Sequence, residues 1–199
     1  MAKVFPLKSI YQFKIELDGI KPKIYRTILV EDDRTFFEFH HILQITMGWE
    51  NYHLFQFIAG DYIISDPDLI EDDGVLNSKD IKLKQLFHEV GDKVKYEYDF
   101  GDGWIHKIKV EKIIPFELNM SYPNCIRGKG GCPPEDCGGP WGYENLMEVM
   151  ADKKHPEYND MKNWLGGHFD SEEFDSKIVN EHLETLDEFI EDSMYNDEE

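Results

Sequence analysis

The amino-acid sequence predicts an α+β fold: mainly an antiparallel sheet with a central helix packed on it, then a Gly/Pro-rich loop and a helical C-terminal third. Apolar and polar residues alternate in several short runs, one segment carries both end signals of a helix, and glycines and prolines cluster over 128–142. The chain has 199 residues, 41% of them hydrophobic, which is enough for a core of its own. We expect one domain over 1–190 (sheet and helix over 1–120, loop and helices over 121–190) and an acidic tail over 191–199.

The first two strands are predicted over Tyr11–Leu17 and Ile24–Val30, where apolar residues recur at every second position. Turn residues over 18–22 favour a hairpin between them. Arg26 falls on the apolar row of the second strand. We expect a partly buried structural arginine paired with a carboxylate, because an unpaired buried charge is costly; a ligand contact is the alternative.

The central helix is predicted over residues 35–47. Thr35 and Glu38 have the spacing of a capping box, apolar residues follow at helical spacing, and Gly48 provides a C-terminal stop. His40 and His41 lie on this helix, and adjacent helical positions point about 100° apart. The two imidazoles are therefore poorly placed to share a metal ion, and we expect both to be structural.

The other elements follow from the same patterns. They are strands over 53–58, 62–64, 94–100 and 104–110, an exposed loop over 65–80, and helices over 83–87, 143–150, 156–165 and 178–190. In the second hairpin, a three-residue loop over 101–103 would place Tyr98 opposite His106 and Glu97 opposite Lys107. This register keeps the apolar residues on one face.

The charge balance restricts the partners that the chain can have. It contains 21 basic and 41 acidic residues, for a formal net charge of −20, and such a field repels duplex DNA and anionic membranes. No apolar run is long enough to span a bilayer, and the N-terminus lacks the apolar stretch of a signal peptide. Three cysteines fit a reducing compartment better than a disulfide framework. We therefore expect a cytoplasmic protein with a protein or small-molecule partner.

Cys125, Cys132 and Cys137 lie within thirteen residues on the glycine-rich segment, and three thiols so close together can converge on zinc. The spacing does not select a fourth ligand, for which the available histidines are His106, His155 and His168. The alternative is that the cysteines are reduced, small hydrophobic residues.

A second group of candidates is acidic. Glu135 and Asp136 follow two prolines, so the loop can present them rigidly for acid–base catalysis or for binding a hard metal ion. Asp99, Asp102 and His106 surround the second hairpin, and all five line one cleft if the loop folds back over that hairpin. The alternative roles are structural: carboxylates that accept backbone N–H groups, a turn aspartate and a core histidine.

Five ordered motifs in the chain resemble the plasmid pRiA ORF-three-like family. They are FHxxLQxxMGW over 39–49, HLxxF over 53–57, YDFGDxWxH over 98–106, PPEDCGG with GY over 133–143, and WLxxxFDxxxF over 164–174. The resemblance implies a single α+β domain and no established activity. Some members are labelled transposon resolvases, but a serine resolvase needs several arginines around its nucleophile, and this chain has three arginines in all.

Two functions follow as hypotheses. The first is a binding or adaptor domain whose recognition surface combines the YDFGDGW hairpin and the CPPEDCGG loop, with Trp104, Glu135, Asp136 and Trp141 exposed. The second is a metal-dependent hydrolase or nuclease-like enzyme, associated with mobile elements as the resolvase label implies, that uses the five acidic-group candidates named above. A structural zinc ion on the cysteines is compatible with either.

Overall fold

A computed structural model describes residues 8–67, 74–166 and 169–196 of the chain. Eight strands form one sheet with the order β5-β4-β3-β6-β7-β1-β2-β8. The strands are β1 (Ser9–Leu17), β2 (Tyr25–Glu31), β3 (Phe55–Ala59), β4 (Tyr62–Ser65), β5 (Val75–Asn77), β6 (Lys93–Tyr98), β7 (Trp104–Pro115) and β8 (Asn124–Lys129). All neighbouring pairs are antiparallel except β4 and β5, so the α+β class with a mainly antiparallel sheet is confirmed.

The first hairpin forms as the sequence predicts, with Tyr11 opposite Val30 and Ile15 opposite Arg26. The expected exposed loop over 65–80 is partly wrong, because β5 lies within it, parallel to β4. Ser78 after β5 is fully buried and donates its backbone N–H to the Ser65 carbonyl, so tertiary pairing overrides the weak local pattern. Residues 68–73 of that loop lie outside the described residues.

The central helix, α1 (Phe36–Met47), has the predicted capping box between Thr35 and Glu38, and Gly48 ends it in the left-handed conformation. Ten of its twelve residues are buried. Phe39 stacks on Phe57 of the sheet and Phe36 contacts the same ring edge-to-face, which fixes the helix over the centre of the core. The position of α1 and its end at Gly48 fix where Trp49, the first residue of the candidate site, lies.

Four helices follow the sheet: α2 (Gly139–Ala151), α3 (Tyr158–Trp164), α4 (Ser176–Leu183) and α5 (Leu186–Asn196). The helix expected over 178–190 is two helices, since the backbone turns at Glu184 and Thr185 before α5 begins. Helix α5 packs on α1, where Phe189 contacts the His41 ring. Within the described ranges, no helix is long and apolar enough to cross a membrane.

The register of the second hairpin differs from the prediction. Tyr98 lies opposite Trp104 and Tyr96 opposite His106, so five residues, 99–103, form the connection instead of three. Asp99 leaves the ladder with a left-handed φ of 57° and accepts the N–H groups of Gly101 and Asp102 on its own Oδ1. An aspartate that caps its own turn therefore replaces the bulged three-residue loop, and the expected Glu97–Lys107 pair does not form.

Arg26 is buried as expected, but the structure does not pair it with a carboxylate. Its Nε donates to the Thr46 carbonyl at 3.1 Å, and its Nη1 donates to the carbonyls of Tyr25 at 2.9 Å and Lys129 at 3.0 Å. The guanidinium also lies 4.3 Å from the ring centre of Phe174. Backbone carbonyls and an aromatic face thus satisfy the charge and join α1, β2 and β8.

His106, a candidate site residue in the sequence, lies in the core. Its side chain is fully buried, with its ring against Trp49 and Tyr96. Burial lowers the pKa of His106 to about 4, and burial also lowers the pKa of His40 well below its usual value. Both imidazoles are therefore neutral in the folded protein at neutral pH, which matches the structural role predicted for His40.

Acid should destabilise the fold through these buried histidines. The pKa of His106 is lower in the folded chain than in the unfolded chain, where about 6.5 is normal, so its contribution is present above pH 6.5 and is lost as the pH falls to about 4. We expect wild type to lose about 3 kcal/mol more unfolding free energy than His106→Gln between pH 7 and pH 4. Urea denaturation at the two pH values measures this. His88→Gln, at an exposed histidine, is the control and should follow wild type; equal losses in wild type and His106→Gln would contradict the assignment.

Candidate functional site

The candidate site forms where the segment that joins β8 to α2, residues 130–138, docks on two other connections. We call this segment the Gly/Pro loop. Trp49 Nε1 donates to the Pro133 carbonyl at 2.9 Å, and the Gly138 N–H donates to Asp102 Oδ2 at 3.1 Å. The loop is thus held at both ends, by the α1–β3 connection (residues 48–54) and by the 99–103 turn. This is the folding of the loop over the hairpin that the sequence analysis considered.

Glu135 is the central contact of this docking. Its Oε2 accepts the backbone N–H of Glu50 at 2.8 Å, and its Oε1 accepts the hydroxyl of Tyr98. The Tyr98 hydroxyl in turn accepts the Tyr52 N–H at 3.0 Å. Burial, and then the hydrogen bond to the Glu135 carboxylate, raises the pKa of Tyr98 well above its usual value, so the hydroxyl remains a donor. Glu135 therefore positions the loop, and its two oxygens are already used.

Next to Glu135, three side chains from the three connections converge. His53 Nε2 lies 3.1 Å from Asp136 Oδ1 and 3.6 Å from Asp99 Oδ2. One ligand atom from each lies within 4.8 Å of the other two, and in the part of the chain that the structure describes this is the one His/Cys/carboxylate group of that kind. We call it the His/Asp/Asp cluster. His53 comes from the α1–β3 connection, Asp99 from the hairpin turn and Asp136 from the Gly/Pro loop.

The cluster contains potential ligand atoms that make no hydrogen bond within the protein. Asp99 is 7% exposed, and its Oδ1 accepts two N–H groups of its own turn. Its Oδ2 is the oxygen that lies near His53. His53 Nε2 is a buried atom with no hydrogen bond in the structure. Asp136 is the solvent-facing member, with 69% of its side chain exposed. A buried nitrogen, a carboxylate of a buried aspartate and an exposed carboxylate thus lie within 4.8 Å of one another.

Backbone strain is concentrated at this site. Among the described residues, three non-glycine residues have a positive φ: Asn51 at 63°, Asp99 at 57° and Asp136 at 58°. Two are members of the cluster, and Asn51 lies two residues before His53, with its Oδ1 2.6 Å from His40 Nε2. Asn and Asp tolerate this conformation better than most residues, yet it still has a cost, and such residues concentrate at functional sites.

A cavity of about 380 Å³ opens beside Asp136, between α2 and α3. Its wall includes Cys137, Asn145, Glu157, Asp160 and Trp164. Trp164 is 50% exposed, so an indole face and several carboxylates are available next to the exposed member of the cluster. A ligand in this cavity would lie directly beside Asp136.

The three cysteines do not meet as the zinc prediction requires. They are free thiols and form no group of three ligand atoms like the His/Asp/Asp cluster. Burial raises the pKa of Cys125 to about 11 and of Cys137 to about 12, and it also raises the pKa of Cys132. In the absence of a metal ion, all three thiols are thus protonated at neutral pH, as expected for small hydrophobic side chains. Of the possible fourth ligands, His155 Nδ1 accepts the Glu157 N–H, and His168 lies outside the described residues.

The structure brings some predicted site residues together and separates others. Asp99, Asp102, Glu135 and Asp136 meet at one place, with Asp102 and Glu135 as docking contacts. Trp104 is fully buried, so its expected exposure in a recognition surface is wrong: it lies on the core-facing row of β7, together with His106 and Ile108. Trp141 is 86% exposed, as expected. His53 was missed as a site residue because its sequence context reads as the start of a strand.

Comparison with known proteins agrees with this architecture. A family model described as plasmid pRiA4b ORF-3-like protein matches residues 9–178. The chain belongs to this family. The match covers the whole candidate site from Trp49 to Gly139 and confirms the resemblance seen in the sequence motifs.

Two relatives extend the comparison. The uncharacterized protein y4hQ of Sinorhizobium fredii is 36% identical over 173 residues, which is 86% of this chain and 87% of that protein. The crystal structure of MM3350 from Methanosarcina mazei, described as a protein of unknown function, has a TM-score of 0.79 and 38% identity, and the match covers 86% of this chain and 98% of that one. The plasmid pRiA4b ORF-3-like fold is thus shared, and neither relative's name states a function.

A substitution at Gly139 tests how closely the start of α2, directly after the Gly/Pro loop, must approach the 99–103 turn. A Cβ there would lie 2.3 Å from the Asp102 carbonyl oxygen, and φ is +68°; Gly60 has a similar φ of +63° with no atom within 4 Å. Gly60→Ala should therefore cost only the left-handed strain, about 1 kcal/mol, whereas Gly139→Ala should cost at least about 2 kcal/mol more because backbone must move. Urea denaturation of both variants measures the difference. Equal losses would show that the loop does not need this close approach.

Proposed function

We propose that this protein is a binding domain that holds a divalent transition-metal ion at the His/Asp/Asp cluster and presents it to a ligand. The recognition surface consists of the 99–103 turn, the Gly/Pro loop and the cavity beside Asp136. This is the hairpin-and-loop surface that the sequence predicts, with His53 added and Trp104 removed. The ligand is a small molecule or an exposed group of a protein partner.

The observation that carries the proposal is His53 Nε2, a buried nitrogen with no hydrogen bond although two carboxylate oxygens lie 3.1 and 3.6 Å away. A buried polar atom without a partner is costly, typically about 1–3 kcal/mol. Two ligand atoms about 2.1 Å from one ion are separated by about 3.0–3.4 Å at octahedral or tetrahedral angles. The 3.1 Å separation from Asp136 lies within that range and the 3.6 Å separation from Asp99 is slightly longer, so an ion between the three side chains needs only a small movement of Asp99 to contact the imidazole and both carboxylates.

The donor set indicates the kind of ion. One imidazole and two carboxylates suit zinc, manganese or iron, whereas magnesium prefers oxygen ligands alone. Asp99 has its second oxygen fixed by two backbone N–H groups, and this orients the first oxygen as outer hydrogen bonds do in known metal centres. Three protein ligands leave further coordination positions open on the solvent side, where Asp136 borders the cavity.

Metal binding can be measured directly. Chelator-treated protein should bind Zn²⁺ or Mn²⁺ in calorimetric titrations with one ion per chain. His53→Gln and Asp136→Asn should each weaken binding at least about 100-fold, because each removes a ligand, and saturating metal should stabilise wild type by about 2.7 kcal/mol at 100 times the Kd. Cys132→Ser is the control and should bind normally. Loss of binding in Cys132→Ser with full binding in His53→Gln would move the metal to the cysteines and contradict the proposal.

A second function, hydrolysis, is supported by the open side of the cluster. A metal ion held by three protein ligands can lower the pKa of a bound water and supply hydroxide near neutral pH. The cavity beside Asp136 provides room for a substrate at that position. Asp102, Glu135 and His106 have structural roles, so Asp99 and Asp136 are the two predicted catalytic residues that this reaction would use.

The hydrolytic function has a separate test. Metal-loaded wild type should cleave an activated ester or phosphodiester, and His53→Gln with the same total metal should return the rate to that of free metal. Leu118→Ala, which changes an exposed residue outside the recognition surface, is the control for folding and should retain turnover. If the protein binds one metal ion per chain but cleaves neither substrate, the hydrolytic function is rejected and the metal-binding function stands.

A further inference from the structure

The strands β1, β6 and β7 place five lysines on the face of the sheet opposite the core. They are Lys14, Lys93, Lys95, Lys107 and Lys109, and they line a shallow groove of about 590 Å³. The core-facing residues between them on β6, such as Val94 and Tyr96, are buried, while Lys93 and Lys95 are exposed. We call these five residues the lysine surface. It does not depend on the metal site.

The lysine surface contains like charges in direct register. Lys93 lies opposite Lys109, and Lys95 lies opposite Lys107, on the paired strands β6 and β7. On the other side of β7, Lys14 of β1 also lies opposite Lys109. Side chains in such positions are about 5 Å apart at Cβ, and like charges there destabilise a sheet. The arrangement therefore opposes folding stability.

Few carboxylates neutralise this surface. Glu16 lines the same groove, opposite Lys107 and 3.3 Å from Lys14, and Asp18 lies 2.6 Å from Lys107. The hydrogen bond from Lys107 is the largest cause of the lowered pKa of Asp18, and Lys95 contributes a smaller electrostatic effect. Lys93, Lys95 and Lys109 make no ion pair among the described residues, although the chain has 41 acidic residues against 21 basic ones. A concentrated positive surface is thus retained in an acidic protein.

Protection against strand aggregation does not explain these lysines. Lysine commonly blocks the edge strands of a sheet, where unpaired backbone groups attract other chains. The strands β6, β7 and β1 are neighbours in the middle of the sheet, and each is paired on both sides. The lysines therefore face outward at positions where no edge needs protection.

We propose that the lysine surface binds a segment rich in Asp and Glu on a separate partner polypeptide. The groove fits a linear segment better than a planar membrane, and Ile58, which lies opposite Lys95, provides an apolar contact. Lysine offers point charges for carboxylates, and the surface contains no arginine fork of the kind that recognises phosphates. The net charge of −20 further disfavours a long polyanion, whereas a short acidic segment experiences mainly the local lysines.

Fluorescence anisotropy with a labelled 15-residue poly-glutamate peptide tests the proposal on the full chain. The triple variant Lys93→Gln, Lys95→Gln, Lys109→Gln should bind the peptide at least tenfold more weakly than wild type at low salt. The matched control is Lys153→Gln, Lys154→Gln, Lys162→Gln, which removes the same charge from three exposed lysines on the helical side. It should bind like wild type. No binding, or equal losses in the two triple variants, would overturn the proposal.

Competing partners are measured with the same proteins. A thymidine oligonucleotide of equal charge, or vesicles containing phosphatidylserine, could bind more tightly than the poly-glutamate peptide. If that binding is lost in the lysine-surface variant, the surface recognises phosphates. Concentration-dependent self-association, lost in the same variant, would assign it to the acidic C-terminal segment of a second copy. Either result would overturn the separate-partner assignment.

Thermal denaturation tests the repulsion on which the inference rests. Lys109→Thr should raise the melting temperature at low salt, and the increase should shrink at high salt, because Lys109 faces lysines on both neighbouring strands. Lys112→Thr is the control for strand propensity, since Lys112 is exposed on the same strand and lies opposite Gln12. Equal, salt-independent changes in the two variants would show that the surface carries no unfavourable charge, and the proposal would lose its basis.

Discussion

The candidate site depends on one contact, the bridge that Glu135 makes between the Tyr98 hydroxyl and the Glu50 backbone N–H. Glu135 precedes Asp136 directly, so this bridge holds the backbone next to the exposed member of the cluster. With it, Trp49–Pro133 and Asp102–Gly138 fix the loop on either side. The long capped helix α1 fixes the position of Trp49, and the turn that Asp99 caps fixes Asp102. The sheet, the helix and the loop thus combine to bring His53, Asp99 and Asp136 together.

Much of the fold follows from local sequence. Alternation predicts the β1–β2 hairpin, and the capping box with Gly48 predicts α1, because these signals act within a few residues. The hairpin register could not be predicted in the same way. Shifting the pairing by two residues keeps every side chain on its face, so the hydrophobic pattern does not distinguish a three-residue connection from one of five. The outcome is set by Asp99, whose side chain bonds to its own turn.

The site was predictable only in part for a related reason. Asp99, Asp102, Glu135 and Asp136 carry local signals, since turn aspartates and acids after a diproline stand out in a sequence. His53 carries none: it precedes a strand, and its role depends on where α1 ends in space. The zinc site on the cysteines stays a prediction, because close spacing in sequence does not decide whether three thiols meet; among the described residues they form no group like the His/Asp/Asp cluster. The three members of the cluster come from three separate connections, so their proximity depends on the tertiary fold and not on local sequence.

An anomalous difference map would show whether His53, Asp99 and Asp136 bind one metal ion. Crystals of the protein grown or soaked with Mn²⁺ or Zn²⁺ would be measured at the absorption edge of the metal. We expect one strong peak per chain, about 2.0–2.3 Å from His53 Nε2, an Asp99 oxygen and an Asp136 oxygen. A peak on Cys125, Cys132 or Cys137, or no peak between the three predicted ligands at saturating metal, would contradict it.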